Sequence, residues 1–155
     1  MKIQASNANM PNWHEISVKS SVPAALEPLN EIAHNMWWSW NNEVGHIFHD
    51  MDAQLWHDVK QNPVLFLSRM NYEKLEEIAS DKKIVDRIKK VYKEFRAYMD
   101  VYPDKKRPSV AYLCMEYGLS HVLKIYSGGL GILAGDYVKE ASDSNIDFCA
   151  VGFLY

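Results

Sequence analysis

The sequence is poor in cysteine and has no long apolar run. Among its 155 residues only Cys114 and Cys149 are cysteines, and each lies within an apolar segment. This excludes a disulfide framework and predicts two buried thiols in a reducing, cytoplasmic compartment, with a disulfide between them the less favoured alternative. No apolar stretch approaches the roughly 20 residues of a membrane span, and the first ten residues lack a signal core. We therefore expect no membrane partner.

An excess of basic charge is also missing. The chain has 17 basic and 20 acidic residues, which gives a net charge of −3. This balance gives no electrostatic reason to expect nucleic acid. The lysines between residues 82 and 93 are interleaved with acidic residues, as on a solvated helix face. A hydrophobic fraction of 48% is that of a soluble globular protein.

Apolar residues at helical spacing dominate residues 1–105. The stripe from Leu26 to Trp40 predicts a first helix, and the clearest period predicts a long helix from about Asp81 to Met99. Shorter helices are expected between them at residues 43–50, 53–60, 64–70 and 72–79. Residues 16–19 alternate and could form an extended edge segment. Trp37, Trp38 and Trp40 could stack on sugars, but core packing is favoured by the spacing.

The pattern changes after the two-proline connector 102–108. The continuous apolar run 110–115 predicts a strand covered on both faces, and a second strand is expected at residues 148–155. Between them a helix should open at about Ile132, with an inner face of Leu133, Tyr137, Val138 and Ala141. Strand, helix and strand together predict a βαβ unit.

A glycine turn precedes this last helix. It runs from Tyr126 to Gly131 and would place unpaired backbone N–H groups at a helix N-terminus, where an anion is favoured. Alone the turn is weak support, because glycines often serve close packing. It matches neither the dinucleotide-binding pattern nor a P-loop. His46 and His49 lie three residues apart, but no further residues complete a metal site.

Two long segments carry a resemblance to a known family. Val110–Leu119 and Ile125–Asp143, which includes the glycine turn, resemble the α-glucan (glycogen, starch, maltodextrin) phosphorylases. Leu26–Trp40 is similar to the extra helical segment of that family's bacterial and archaeal branch. The resemblance implies an α/β fold: a mostly helical N-terminal region (1–105), then the first βαβ unit (106–155) of a Rossmann-like lobe in a two-lobed, GT-B type glycosyltransferase. The chain is therefore expected to be an N-terminal fragment, lacking the C-terminal lobe.

The resemblance also implies a reaction. Family members release α-glucose 1-phosphate from α-1,4-glucans with inorganic phosphate, and use pyridoxal phosphate held by a lysine of the C-terminal lobe. The backbone N–H groups of the glycine turn would then face phosphate and substrate; these belong to Gly128, Gly129, Leu130 and Gly131. The fragment alone is expected to be inactive. A homo-oligomer is left open.

Two residues after the first strand are further candidates. A Glu-aromatic pair lies near substrate and cofactor in the family, which implies substrate binding for Glu116 and cofactor binding for Tyr117. The alternative for Glu116, pairing with a nearby base, is equally favoured. Asp136 is interpreted as an acid near a helix start. Lys139 lies on the polar side of its helix and is not interpreted as the Schiff-base lysine.

The sequence departs from the family in two places. Ser120 followed by His121 stands where the branch often has a histidine directly after Gly118-Leu119, and Ile132 stands where long-chain members have arginine. Contacts assigned to those family residues therefore do not carry over.

Two alternatives remain open. A glycogen- or starch-synthase-like nucleotide-sugar transferase usually has a lysine just before the glycines, where this chain has Ser127, and Lys124 lies three residues too early. The helical region could also be a non-catalytic oligomerisation or glucan-docking module.

Overall fold

The computed structural model describes residues 21–103 and 106–154. The extended segment predicted at residues 16–19 lies outside this range. The first part is helical: α1 is followed by five further helices, each beginning close to where the sequence predicts. Their bounds are α1 (Glu27–Ala33), α2 (Asn42–Met51), α3 (Ala53–Asp58), α4 (Pro63–Arg69), α5 (Tyr72–Ser80) and α6 (Lys82–Met99).

The first predicted helix is broken into three pieces. A 3₁₀ turn (Ala24–Leu26) leads into α1, and a second 3₁₀ segment covers Met36–Trp40. The break falls at Asn35, whose backbone is extended and whose side-chain oxygen accepts a hydrogen bond from the Trp37 amide at 2.9 Å. A local cap of this kind competes with helix continuation, so the prediction of one helix to Trp40 is wrong.

Side-chain caps set the starts of the next five helices. In each case the residue before the helix is extended and its side-chain oxygen accepts a backbone N–H of the first turn, as Asn and Asp do at N-cap positions. These caps are Asn41, Asp52, Asn62, Asn71 and Asp81.

The helices enclose one continuous hydrophobic core. Phe48 stacks on Trp56 with ring centroids 5.0 Å apart and meets Phe66 edge-on at 5.2 Å. Trp37 packs on Phe95 of α6 at 5.4 Å, so the core role predicted for Trp37 is confirmed. Several of the largest side chains are fully buried, including Phe48, Phe66, Phe95, Leu26, Leu29 and Ile32.

The second part is a βαβ unit, as predicted. Strands β1 (Val110–Leu113) and β2 (Phe148–Val151) are parallel, with Val110 opposite Phe148 and Leu113 opposite Val151. Helix α7 (Gly129–Asp143) connects them. The chain is thus mostly helical with a small parallel sheet, consistent with an α/β class. Among the described residues, no helix is both long and apolar enough to cross a membrane.

Burial in this unit differs from the prediction. Helix α7 begins at Gly129 and not at Ile132, and it buries Gly131, Ala134, Gly135 and Ala141. Leu133 and Tyr137, both predicted on the inner face, are 65% and 56% exposed. The reason is close packing: a Cβ on Gly135 would lie 2.2 Å from the Gly118 carbonyl oxygen, so the glycine face is the one that meets the loop after β1.

The strands are also less covered than predicted. Three of the four residues of β1 are exposed, and so are three of the four in β2. Cys149 is therefore exposed and Cys114 half-buried, both as free thiols, which corrects the prediction of two buried cysteines. Within the described residues this sheet has only two strands and one helix to cover it.

Polar contacts join the two parts. The Tyr98 hydroxyl of α6 donates to Asp143 of α7 at 2.6 Å, and burial together with this hydrogen bond raises the pKa of Tyr98. The Asn145 side chain donates to the Tyr102 carbonyl at 2.8 Å. On the other side His121 contacts the Lys60 carbonyl oxygen at 3.0 Å.

Candidate functional site

The glycine turn forms the N-terminus of α7. Gly128 is the N-cap residue, in an extended conformation, and it makes no side-chain cap. The first backbone N–H groups of the helix therefore have no partner within the helix. They point to the side where the helix macrodipole favours negative charge.

A carboxylate of this chain already occupies part of that N-terminus. One oxygen of Glu116 accepts the Ser127 amide at 2.7 Å and the Ser127 hydroxyl at 3.2 Å. Its other oxygen accepts the Gly131 amide at 3.0 Å. Glu116 thus pairs with backbone N–H groups and the Ser127 hydroxyl, and with no base among the described residues, contrary to the alternative weighed from the sequence. It clamps the two ends of the turn.

The backbone amides in the middle of the turn do not bind Glu116. Those of Gly128, Gly129 and Leu130 have no hydrogen-bond partner among the described residues. All three residues are exposed. Successive unpaired N–H groups at a helix start are the usual donors for a phosphate or another anion. The structure therefore separates the four predicted residues: Gly131 serves the clamp, and the other three present open donors.

The glycines of the turn have two different explanations. A Cβ on Gly131 would lie 2.5 Å from the Tyr126 Cβ, so this glycine is required by close packing. A Cβ on Gly128 or Gly129 would meet nothing within 4 Å, and neither residue has a positive φ. Neither sterics nor backbone conformation within the described chain explains these two glycines. Both positions leave the main chain open to approach from outside.

A cavity of about 550 Å³ lies beside the turn, within the range of small-molecule sites. It opens beyond the carboxyl ends of both strands, where parallel α/β sheets bind ligands. The lining residues are mostly apolar with Glu116 and Ser127 as the polar groups: Met115, Glu116, Ser127, Leu130, Phe153 and Leu154. Sequence reasoning did not select Ser127 as a site residue; its position directly before the glycine pair was the available signal.

Tyr117 lies inside the unit. It is buried, and its hydroxyl donates to the Tyr112 carbonyl at 2.6 Å and lies 3.2 Å from the Val151 carbonyl oxygen. Burial raises the pKa of this phenol. The hydroxyl thus ties β1 to β2, and the cofactor contact predicted for Tyr117 stays a prediction.

The remaining candidates lie elsewhere. Asp136 is an exposed residue of α7, and Lys139 does not line the cavity. His46 and His49 are exposed beside Glu43 and Asp50. Within the described ranges, no group of three or more His, Cys, Asp or Glu side chains has metal-binding geometry.

A parallel βαβ unit with open amides in a glycine turn, packed against a capped helical bundle, defines a candidate anion-binding α/β protein. Residues 22–123 match a family described as "Protein of unknown function (DUF3417)". This match covers well over half of the chain, and the protein belongs to that family.

Curated relatives extend the similarity through the glycine turn. The chain is 43% identical to a maltodextrin phosphorylase of Thermococcus litoralis over 146 residues, which is 89% of this chain and 17% of the relative. It is 39% identical to a glycogen phosphorylase of Aquifex aeolicus, over 83% of this chain and 19% of the relative. A glycogen phosphorylase of Mycobacterium tuberculosis is 31% identical, over 94% of this chain and 18% of the relative.

These relatives confirm the resemblance to the α-glucan phosphorylases that was drawn from the sequence, and they support its interpretation as an N-terminal part of such a protein. The chain spans about a fifth of the length of the curated relatives it matches. No solved structure matches the chain.

Proposed function

We propose that this chain contributes the phosphate-binding glycine turn of an α-glucan phosphorylase, a glycosyltransferase that transfers a terminal glucosyl unit of an α-1,4-glucan to inorganic phosphate. The observation that carries the proposal is the set of three open amides at Gly128, Gly129 and Leu130, next to a cavity at the strand ends. The names of the relatives supply the reaction class.

The chemistry follows from the placement of the donors. Amides that are fixed before the reaction stabilise negative charge on phosphate without reorganisation, and they act more strongly where water is excluded. Glu116 is a positioning residue in this account. Its carboxylate holds Ser127 and Gly131, so the three amides between them keep their direction.

Pyridoxal phosphate is the cofactor that the family implies. When bound, it would supply a phosphate group that serves as proton donor and acceptor toward the attacking phosphate. Its attachment is proposed for a lysine of the C-terminal lobe, as the family resemblance implies. This chain supplies main-chain N–H donors for a phosphate group. These donors fit inorganic phosphate, the acceptor substrate, and also a position close to the cofactor.

The second part of the protein also requires a partner surface. Leu113, Leu133 and Phe153 are more than 60% exposed. An apolar surface of this kind is normally covered in a stable domain. We infer that the remainder of a Rossmann-like lobe packs here, in a two-lobed GT-B arrangement within a cytoplasmic protein. The 155-residue chain alone is then inactive.

Product identification tests the proposal. The complete gene product is incubated with maltoheptaose and phosphate, and separately with maltoheptaose and ADP-glucose. We expect α-glucose 1-phosphate in the first reaction and no chain extension in the second. Extension from ADP-glucose without phosphorolysis would assign the protein to the synthase-like transferases instead.

A further inference from the structure

A second cleft, of about 440 Å³, lies between the helical region and the loop after β1. One wall is α2 with the segment before it, another is α3 with the turn after it, and the third is the loop carrying Ser120 and His121. The lining residues are Trp38, Ser39, Asn41, Asn42, Gly45, His46, His49, Trp56, Gln61, Ser120 and His121. None of them lines the cavity at the glycine turn, so the two sites are separate.

The lining of this cleft has no fixed charge. It contains no Asp, Glu, Lys or Arg, and its polar groups are amides, hydroxyls and imidazoles. No Lys or Arg lines the cleft to bind an anion, and the carboxylates of Glu43 and Asp50, which lie beside His46 and His49, do not line it. Amide and hydroxyl groups both donate and accept hydrogen bonds, which suits a neutral polyhydroxyl ligand.

Several of these polar groups have no partner. The side chains of Asn42 and Gln61 make no hydrogen bond to the described residues, and both are exposed to the cleft. The Ser39 hydroxyl oxygen is buried without a partner among the described residues. Buried polar groups normally find one, so this hydroxyl is available to a ligand that enters the cleft. Trp38 (8% exposed) and Trp56 (6% exposed) supply the apolar floor.

The backbone around the cleft is energetically unfavourable in two places. Lys60 and Gln61 both have positive φ, at 53° and 58°, which non-glycine residues rarely adopt. This conformation places Gln61 in the cleft wall and presents the Lys60 carbonyl to His121 at 3.0 Å. Gly45 lies within α2, where glycine weakens a helix, yet a Cβ there would meet nothing within 4 Å. Both features keep the cleft open and its rim polar.

From this arrangement we infer that the cleft binds a neutral carbohydrate and acts as an accessory subsite for a short segment of α-1,4-glucan. The preference for an α-glucan over other neutral sugars rests on the proposed function. The residues matched by the family, 22–123, include every residue of this cleft and exclude the glycine turn. The cleft is thus a property of the family unit and not of the glycine turn.

The test uses the 155-residue chain, ¹⁵N-labelled, titrated with maltoheptaose. We expect saturable shifts of the Asn42 and Gln61 side-chain amides and of the Trp38 and Trp56 indole N–H signals, while the amides of Gly128–Leu130 stay in place. Gly45→Leu fills the cleft from an uncrowded position and should weaken binding at least about tenfold. Gln54→Ala, which removes an exposed amide of α3 outside the cleft, should bind as the unmodified chain does.

The outcomes decide between this inference and the proposed function. The absence of saturable shifts at millimolar maltoheptaose, or equal binding by the Gly45→Leu variant, would overturn the accessory site. Equal shifts with cellopentaose would overturn its α-glucan preference. Maltoheptaose binding here, combined with absent phosphorolysis by the complete gene product, would retain the accessory site and reject the proposed function.

Discussion

The helical region and the βαβ unit bury their apolar residues in opposite ways. The helices close around a core whose phenylalanines and leucines are fully buried, and Asn or Asp caps define five of their starts. The βαβ unit instead packs through glycines and alanines, and it leaves large apolar side chains such as Leu133 exposed. The first encloses its large apolar side chains within itself, whereas the second brings the N-terminus of α7 close to the loop after β1 and leaves large apolar side chains at its surface.

The largest expected effect is in the helical core. Phe48→Ala removes a fully buried ring from between Trp56 and Phe66, and should lower the free energy of unfolding by about 3–5 kcal/mol. The matched change in the other region, Leu133→Ala, should cost less than about 0.5 kcal/mol because the side chain is exposed. Urea unfolding of the 155-residue chain, in which Leu133 is exposed, measures both. Similar losses of unfolding free energy in the two variants would contradict the difference in burial between the helical region and the βαβ unit.

The glycines of α7 provide the next contrast. Gly135→Ala places a methyl group against the Gly118 backbone and should destabilise the βαβ unit by about 1–3 kcal/mol. Gly129→Ala enters open space, so stability should be unchanged or raised by up to about 1 kcal/mol. Hydrogen exchange of the amides in residues 110–151 reports the difference. If Gly129→Ala were the more disruptive of the two, the division of the glycines by role would be wrong.

Glu116→Gln tests the clamp at the turn. The variant keeps one acceptor oxygen but loses the charge at the helix N-terminus, and it should destabilise α7 by about 1 kcal/mol. Amide signals of Ser127 and Gly131 should shift, and their exchange with solvent should accelerate. Glu140→Gln on the same helix is the control. Unchanged amide signals at Ser127 and Gly131 would show that Glu116 does not clamp the turn.

The smallest effect is expected at a helix cap. The Leu55 backbone hydrogen bond, followed by the Lys74 side chain, lowers the pKa of Asp52 from its ordinary value of 3.8. A lowered pKa in the folded state contributes stability above pH 3.8 that is lost as the pH falls through the lowered value.

Asp52→Asn keeps the capping oxygen and loses the charge, so it should cost about 0.5 kcal/mol at pH 7 and less at pH 2. Unfolding of this variant and of Asp58→Asn at both pH values provides the measurement. An equal cost for Asp52→Asn at the two pH values would show that its charge contributes nothing.

Sequence reasoning located most elements because their signals are local. The helical period of α6 and the Asn62-Pro63 break depend on neighbouring residues only, and both agree with the structure. The hydrogen bonds of Glu116 could not be predicted from residue spacing. Its partners, Ser127 and Gly131, lie 11 and 15 positions further along the chain. The exposure of the strands depends on their tertiary surroundings, and the break at Asn35 depends on one side-chain cap. Hydrophobic periodicity reports neither.

The phosphate dependence of the complete gene product tests the open amides most directly. Gly129→Leu adds a side chain beside these amides at a position where a Cβ would meet nothing within 4 Å, and Lys89→Leu adds the same side chain to an exposed site of α6. We expect Gly129→Leu to lower kcat/KM for phosphate by about 100-fold or more, with Lys89→Leu unchanged. Equal phosphate kinetics in the two variants would contradict an anion site at the glycine turn.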